Sequence, residues 1–197
     1  AESNKSLIVQ TPYKYTAWPF ISSVGNKMAC VYTKSLSHED STSADIYSRV
    51  SSDGGKIWTA ENKIIATPNV RDTITGKGKD ANGNMIVWNR VGAPGEQATR
   101  HHLYVTTDGI NFDLVSEPTF SVVPGHIGDI FTVPTVGLIA FYNTFGTSRS
   151  WGGVKSADNG LTWAQHGVEN GIPADECPTE ISGAYLVDGK IIAIDRK

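Results

Sequence analysis

Side chains suited to proton transfer and anion binding are concentrated in two kinds of segment of this sequence. One is the polar loop that follows an apolar hairpin, and the other is the stretch leading into the next hairpin. A guanidinium can bind a carboxylate through two parallel hydrogen bonds, and a carboxyl group can donate or accept a proton. We therefore take as site candidates Trp18, His38, Asp40, Arg90, His126, Arg149, Glu176, Glu180 and Arg196.

The same sequence gives no indication of a bound metal or organic cofactor. No His, Cys and Asp cluster has metal-ligand spacing, and the adjacent His101 and His102 are expected on opposite faces of a strand. The two cysteines, Cys30 and Cys177, lie far apart, and we expect both to be buried thiols rather than a disulfide. We expect a protein that works without a cofactor.

Composition limits the class of protein further. The 197 residues suffice for one sizeable core, and a formal net charge of −3 argues against a nucleic-acid partner. No apolar run approaches the roughly 18 residues of a spanning helix, and no signal peptide is visible, so we expect no membrane insertion. Because the sequence begins AESNKS without methionine, we expect a chain that is processed or cut from something longer.

Short β-branched and aromatic segments recur along the chain with turns between them. The turn glycines Gly25, Gly83, Gly137 and Gly189, each before an apolar strand, are separated by 58, 54 and 52 residues. Four antiparallel strands per roughly 50 residues is the pattern of a β-propeller blade. The sequence therefore predicts an all-β fold, a single propeller portion of about three and a half blades, with units at approximately 15–65, 70–118, 124–170 and 176–197. We expect a further segment to complete the propeller.

A polar turn with an aspartate and an aromatic residue recurs in register with these hairpins. SSDGGKIW occupies 51–58, SADNGLTW occupies 156–163, and TDGINF at 107–112 is a shortened copy. We expect the aspartate to accept hydrogen bonds from backbone N–H groups of its own turn, and the glycine to supply a positive φ. We expect the tryptophan to pack between blades. The turns are thus predicted to be structural and to lie at the end of the propeller away from the site candidates.

These turns resemble the Asp box of the sialidase superfamily, and a second stretch extends the resemblance. In ECPTEISGAYLVDGKIIAIDR, at 176–196, a glutamate opens one strand and an arginine ends the next, as in sialidases and phage endosialidases. The resemblance implies Glu180 as the acid/base group, with Glu176 as a second candidate, and Arg196 as a carboxylate-binding residue. Arg90 has the same offset from its hairpin glycine as Arg196 and is expected at the same end.

The resemblance also carries departures and alternatives. Ala17 stands where exosialidases have an arginine, which favours the endosialidases, and no motif fixes an acid among His38, Glu39 and Asp40. The resemblance implies a glycosidase acting on sialylated or other acidic polysaccharide, located outside the cell or in a virion tail, with a homotrimer as an analogy. Two other functions stay open. One is a non-catalytic glycan-binding propeller that uses Trp18, Tyr142 and Trp151 as stacking platforms, and the other is a purely structural repeat.

Overall fold

The computed structural model describes residues 15–38, 44–92 and 100–196, and within these ranges the chain forms β-strands and no helix. The strands are β1 (Tyr15–Val24), β2 (Lys27–Ser35), β3 (Ala44–Ser51), β4 (Asn62–Ile65), β5 (Arg71–Lys79), β6 (Met85–Gly92), β7 (Arg100–Thr106), β8 (Asp113–Ser116), β9 (His126–Val133), β10 (Gly137–Asn143), β11 (Ser148–Ser156), β12 (Ala164–Pro173), β13 (Thr179–Tyr185) and β14 (Ile191–Arg196). The all-β prediction is confirmed.

Strands that are neighbours in sequence pair with one another. β1 to β4, β5 to β8 and β9 to β12 each form an antiparallel meander of four strands, and β13 pairs with β14. A single parallel pair, Ala44 with Arg71, links the first two meanders. We refer to these groups as blades 1 to 4 in chain order.

Glycine occupies the tight turn between the first two strands of every blade. Gly25, Gly83, Gly137 and Gly189 all have positive φ, between 58° and 103°. Residues with a Cβ atom rarely adopt this conformation, which explains why the sequence repeat is most visible at these positions.

The aspartate turns have the hydrogen bonds that their sequence predicts. Oδ1 of Asp53 accepts from the backbone N–H groups of Lys56 and Ile57, each at 3.0 Å. Asp158 accepts from the side-chain hydroxyl and the backbone N–H of Thr162, and these bonds lower its pKa to about 2. These turns fix the loop between the third and fourth strands of a blade and place a carboxylate in its centre.

The tryptophan that closes the third turn packs against the neighbouring blade. Trp163 is 8% exposed, its ring centroid lies 4.9 Å from that of Trp88 in blade 2, and its indole N–H donates to the carbonyl of Gly160 at 3.0 Å. A Cβ on Gly160 would lie 2.6 Å from a methyl of Leu103, also in blade 2. The contact between blades 2 and 3 at this end therefore depends on the large side chain of Trp163 and on the absence of a side chain at Gly160.

Close backbone approach brings together the first strands of blades 2, 3 and 4. A Cβ on Gly76 in β5 would lie 2.1 Å from the carbonyl oxygen of Gly128 in β9, and a Cβ on Gly128 would lie 1.9 Å from that of Ile181 in β13. No side chain fits at these distances, so glycine allows the strands to converge. The three strands are therefore packed against one another at these positions.

The outer parts of the described chain are less covered. Every residue of β14 is exposed, whereas Ile181 in β13 is buried.

Cys30 and Cys177 are both buried free thiols, as expected. No helix of sufficient length and apolar character to span a membrane occurs among the described residues.

Candidate anion-binding cavity

A cavity of about 470 Å³ opens at the end of the blades opposite the aspartate turns. Its walls are the beginnings of first strands and the ends of second strands, together with the loop after β10 and the start of β11. The lining residues are Trp18, His38, Arg71, Thr73, Ile74, Thr75, Arg90, His126, Asn143, Phe145, Arg149, Thr179, Glu180 and Arg196. The volume is in the range of sites that hold small molecules or short saccharides.

Most of the residues proposed from the sequence meet in this cavity. Those that line it are Trp18, His38, Arg90, His126, Arg149, Glu180 and Arg196. Glu176 lies in the turn after β12, where its backbone N–H donates to the carbonyl of Pro173, and it is not a lining residue. Asp40 lies outside the described residues.

Two lining side chains are presented by irregular strand pairing. Trp18 and Glu180 have φ angles of 52° and 51°, a left-handed conformation that is uncommon for residues other than glycine. Each lies where the register between the first two strands of its blade shifts, between Ala17 and Phe20 in blade 1 and between Thr179 and Ser182 in blade 4. Such bulges redirect a side chain out of the regular alternation of a strand, here into the cavity.

Glu180 and Arg196 form an ion pair within the cavity. A guanidinium nitrogen of Arg196 lies 3.2 Å from a carboxylate oxygen of Glu180. Both side chains remain open to solvent, with 43% of the Glu180 side chain and 72% of the Arg196 side chain exposed. A ligand anion can therefore reach the guanidinium and compete with the Glu180 carboxylate for it.

Arg90 is more enclosed than Arg196. Its guanidinium donates to the carbonyl of Gly125 at 3.2 Å and lies 5.4 Å from the ring centroid of Phe145. Desolvation and the positive charge of Arg71 lower the pKa of Arg90 to about 10, although the carboxylate of Glu180 opposes this shift. Arg90 is therefore a cation at neutral pH, but one whose charge is poorly compensated by its surroundings.

An aromatic corner forms the wall nearest blade 1. The rings of Tyr15, Trp18 and His38 have centroid separations of 5.3–5.8 Å, and the guanidinium of Arg71 lies 5.4 Å from the Trp18 ring. Arg71 also donates to the carbonyl of His38 at 2.9 Å. The corner combines a cation with an apolar ring, which suits the apolar face of an acidic sugar.

His126 lines the wall between blades 2 and 4. It begins β9, lies opposite Asn143 of β10, and its Nδ1 is buried without a hydrogen-bond partner among the described residues. Desolvation and the charge of Arg90 lower its pKa to about 4, with Arg196 acting in the same direction and Asp129 opposing. The imidazole is therefore neutral at physiological pH.

Several lining residues were not among the sequence candidates. Arg71, Asn143 and Phe145 are the main additions. Arg71 could have been predicted from the sequence, because it begins the first strand of blade 2 just as His126 begins the first strand of blade 3. Asn143 and Phe145 carried no such signal, since a polar residue at the end of an apolar strand and a loop aromatic occur in most β-proteins.

Not all of the proposed stacking platforms are available to a ligand. Tyr142 is 0% exposed in the core, so its proposed role as a sugar platform is wrong. Trp151 in β11 donates its indole N–H to Glu169 in β12 at 2.7 Å and does not line the cavity. Of the three aromatics, only Trp18 reaches the cavity.

The lining side chains give the cavity a positive character. Four of them are the arginines Arg71, Arg90, Arg149 and Arg196, and the only carboxylate among the described lining residues is Glu180. Among the described residues, no group of three or more His, Cys, Asp or Glu side chains is arranged to hold a metal ion. The arrangement is suited to binding an anion by charge-assisted hydrogen bonds.

Comparisons with known proteins show the fold. No protein-family model and no curated protein sequence matches the chain. Among solved structures, a sialidase from Trypanosoma rangeli in complex with 2,3-difluorosialic acid superimposes with a TM-score of 0.71 at 15% identity, covering 93% of this chain and 34% of the sialidase. A Dyadobacter fermentans protein of unknown function superimposes with a TM-score of 0.67 at 17% identity, covering 98% of this chain and 62% of that protein. An endo-arabinase from Bacteroides thetaiotaomicron superimposes with a TM-score of 0.56 at 15% identity, covering 89% of this chain and 68% of the endo-arabinase.

These similarities confirm the predicted fold class. The sialidase and the endo-arabinase are β-propeller glycoside hydrolases, and the chain has the fold of part of such a propeller. The chain spans less than two thirds of the Dyadobacter protein and about a third of the sialidase.

Proposed function

We propose that the chain is part of a glycoside-hydrolase propeller whose cavity binds an acidic glycan, with sialylated glycans as the first class to test. The observation that carries this proposal is the convergence of four arginines, with a single described carboxylate, on one sugar-sized cavity. Like charges held together repel one another, and a ligand carboxylate relieves that repulsion. Neutral sugars have no group that would do so.

The arginines differ in the role that their surroundings allow. Arg196 is exposed and lies at the end of β14, where its guanidinium can meet a ligand carboxylate through two parallel bonds. Arg90, at the corresponding position of β6, is held by Gly125 and Phe145 and adds a fixed positive charge. We propose Arg196 as the direct carboxylate-binding residue and Arg90 as its support.

Catalysis is the finer part of the proposal. A glycosidase needs a carboxyl group that protonates the leaving oxygen, and we propose Glu180 for this role because it is the carboxylate among the described lining residues. A ligand carboxylate that draws Arg196 away from Glu180 leaves the Glu180 carboxyl available for proton transfer. His38 and Asp40 are proposed to assist from the loop after β2.

A second candidate function is binding without hydrolysis. It is favoured by the single carboxylate among the described lining residues, because glycosidases generally use a pair of carboxyl groups. In that function Trp18 supplies an aromatic surface for the sugar, and Glu180 serves to orient Arg196.

Binding and cleavage assays on the same variants separate the two functions. We would measure calorimetric binding and sugar release with oligosialic acid, 3′-sialyllactose and lactose, for the parent and for Glu180→Gln and Arg196→Met. Loss of a charge-assisted contact in Arg196→Met is expected to weaken acidic-glycan binding by about 10- to 100-fold. Lys27→Ala, at the opposite end of the blades, is the control and should bind as the parent does.

The outcomes are distinct. Cleavage by the parent that disappears in Glu180→Gln while binding persists supports the enzyme. Binding without cleavage in the parent supports the second function. Equal affinity for lactose and the acidic glycans, or no binding of either, contradicts the proposed anion site.

The wider setting is also a proposal. The resemblance to phage endosialidases supports a location outside the cell or in a virion tail, with a homotrimer as the assembly to test. Exposed isoleucines on β14, with Ile194 at 73%, support an additional propeller segment packed against blade 4.

A further inference from the structure

His126 is a cavity-lining residue whose imidazole pKa is lowered by burial and by the charge of Arg90. Its ring is half-buried at the start of β9, and its backbone is fixed by cross-strand pairing with Asn143. The buried Nδ1 atom has no hydrogen-bond partner among the described residues. A buried polar atom without a partner is costly, so a bound ligand that supplies a compensating charge or hydrogen bond near this ring would be favourable.

Charged groups surround this ring from several strands. Arg90 approaches from β6, where its guanidinium is bonded to the carbonyl of Gly125, the residue before His126. Arg196 acts from β14, and Asp129 of β9 is the opposing negative charge. The cavity wall adds Arg149 from β11 and Glu180 from β13, and the buried His101 of β7 is a further titratable neighbour that interacts with His126.

We propose that His126 is a ligand-binding residue that takes up a proton from solvent when an anion occupies the cavity. This proposal rests on the proposed function only in requiring that the cavity bind anions. Without an anion, Arg90 and Arg196 oppose a third positive charge. With an anion bound to them, the same ring becomes an imidazolium at mildly acidic pH, with two N–H donors, and one of these can be directed at the ligand.

The consequence is tighter anion binding at acidic pH. The pKa of His126 is about 4 without ligand. An opposite charge within hydrogen-bonding range raises a histidine pKa by about 1–2 units, which places the bound value at about 5.5. By linkage, the proton uptake is then about half a proton or more per anion near pH 5 and close to zero near pH 7.5, and affinity rises about fourfold between those conditions.

Nuclear magnetic resonance on the intact chain tests this directly. The ring carbon of His126, assigned by comparison with His126→Gln, is followed from about pH 3.5 to 8. One titration contains sodium sulfate and the other sodium chloride at equal ionic strength, so that simple screening is the same in both. We expect the midpoint of His126 to be near 4 in chloride and at least one unit higher in sulfate. The exposed His166 is the internal control and should not respond to the anion.

Arg90→Met completes the design. Removing that charge should raise the chloride midpoint of His126 and reduce the effect of sulfate, and folding of the variant is checked by its backbone amide spectrum. A midpoint near 6.5 in chloride, or the same midpoint in both salts, overturns the proposal. Failure of acidic glycans to bind, with the sulfate response intact, contradicts the proposed glycan function but leaves the role of His126 supported.

Discussion

Replacing Trp163 by alanine measures the contribution of packing between blades, because Trp58 provides a matched residue within the same chain. Both tryptophans close an aspartate turn, and both donate the indole N–H to a glycine carbonyl at 3.0 Å. They differ in their neighbours. Trp163 is 8% exposed and contacts Trp88 of the preceding blade, blade 2, whereas Trp58 of blade 1 is only half-buried.

The magnitude follows from buried area. A tryptophan buries about 150–250 Å², which at about 25 cal/mol per Å² corresponds to roughly 4–6 kcal/mol as an upper limit. Measured replacements of large buried aromatics by alanine cost about 3–5 kcal/mol. We therefore expect Trp163→Ala to lower the free energy of unfolding by about 4 kcal/mol and Trp58→Ala by about 2 kcal/mol or less.

Urea unfolding followed by far-ultraviolet circular dichroism is the assay, because it does not depend on tryptophan fluorescence. The two variants and the parent are compared at one protein concentration, with the denaturant slope used to check that unfolding stays two-state. If Trp163→Ala does not fold, Trp163→Phe and Trp58→Phe replace the pair. Equal losses for the two positions would refute the reasoning, because they would show that the turn alone, and not the contact with Trp88, stabilises the blade.

Two further predictions concern pH and the support of Arg90. The pKa of Asp158 is about 2 against an ordinary value of 3.8, so its stabilising contribution is present above about pH 4 and lost as pH falls towards 2. Asp158→Asn should therefore show a flatter dependence of unfolding free energy on pH in that window, and an unchanged slope would contradict this assignment. A Cβ on Gly125 would lie 2.7 Å from the Phe145 ring that covers Arg90, so Gly125→Ala should displace the ring and weaken sulfate binding by about fivefold. Phe145→Leu should give a similar loss when sulfate binding is measured by calorimetric titration, and parent-like affinity in both variants would exclude Phe145 as a support.

The fold was predictable from sequence because its signals are local. A hairpin glycine such as Gly83 must have positive φ, and an aspartate such as Asp158 satisfies the N–H groups of its own turn. Both requirements restrict the residue types within a short segment, so they can be recognised in the sequence alone. The convergence of β5, β9 and β13 was not predictable, because Gly76 and Gly128 are needed only where another strand approaches from a distant part of the chain.

The site was predictable to the extent that strand direction determines it. Counting from the hairpin glycines places Arg90 and Arg196 at the same end, and both line the cavity. Strand direction alone did not indicate that Tyr142 is in the core, because a side chain at a strand end can face either side. The roles assigned to Glu180 and Arg196 stay predictions until the variants are measured.

The irregular pairing that presents Trp18 and Glu180 has an evolutionary consequence. The two residues share a backbone conformation at the start of the first strand of their blades, yet one is an aromatic and the other an acid. A bulge of this kind can therefore hold different side chains in different blades while the surrounding strands keep their pairing. Substitution at such a bulge would change the group that faces a ligand, so ligand specificity could change through a single residue of one blade.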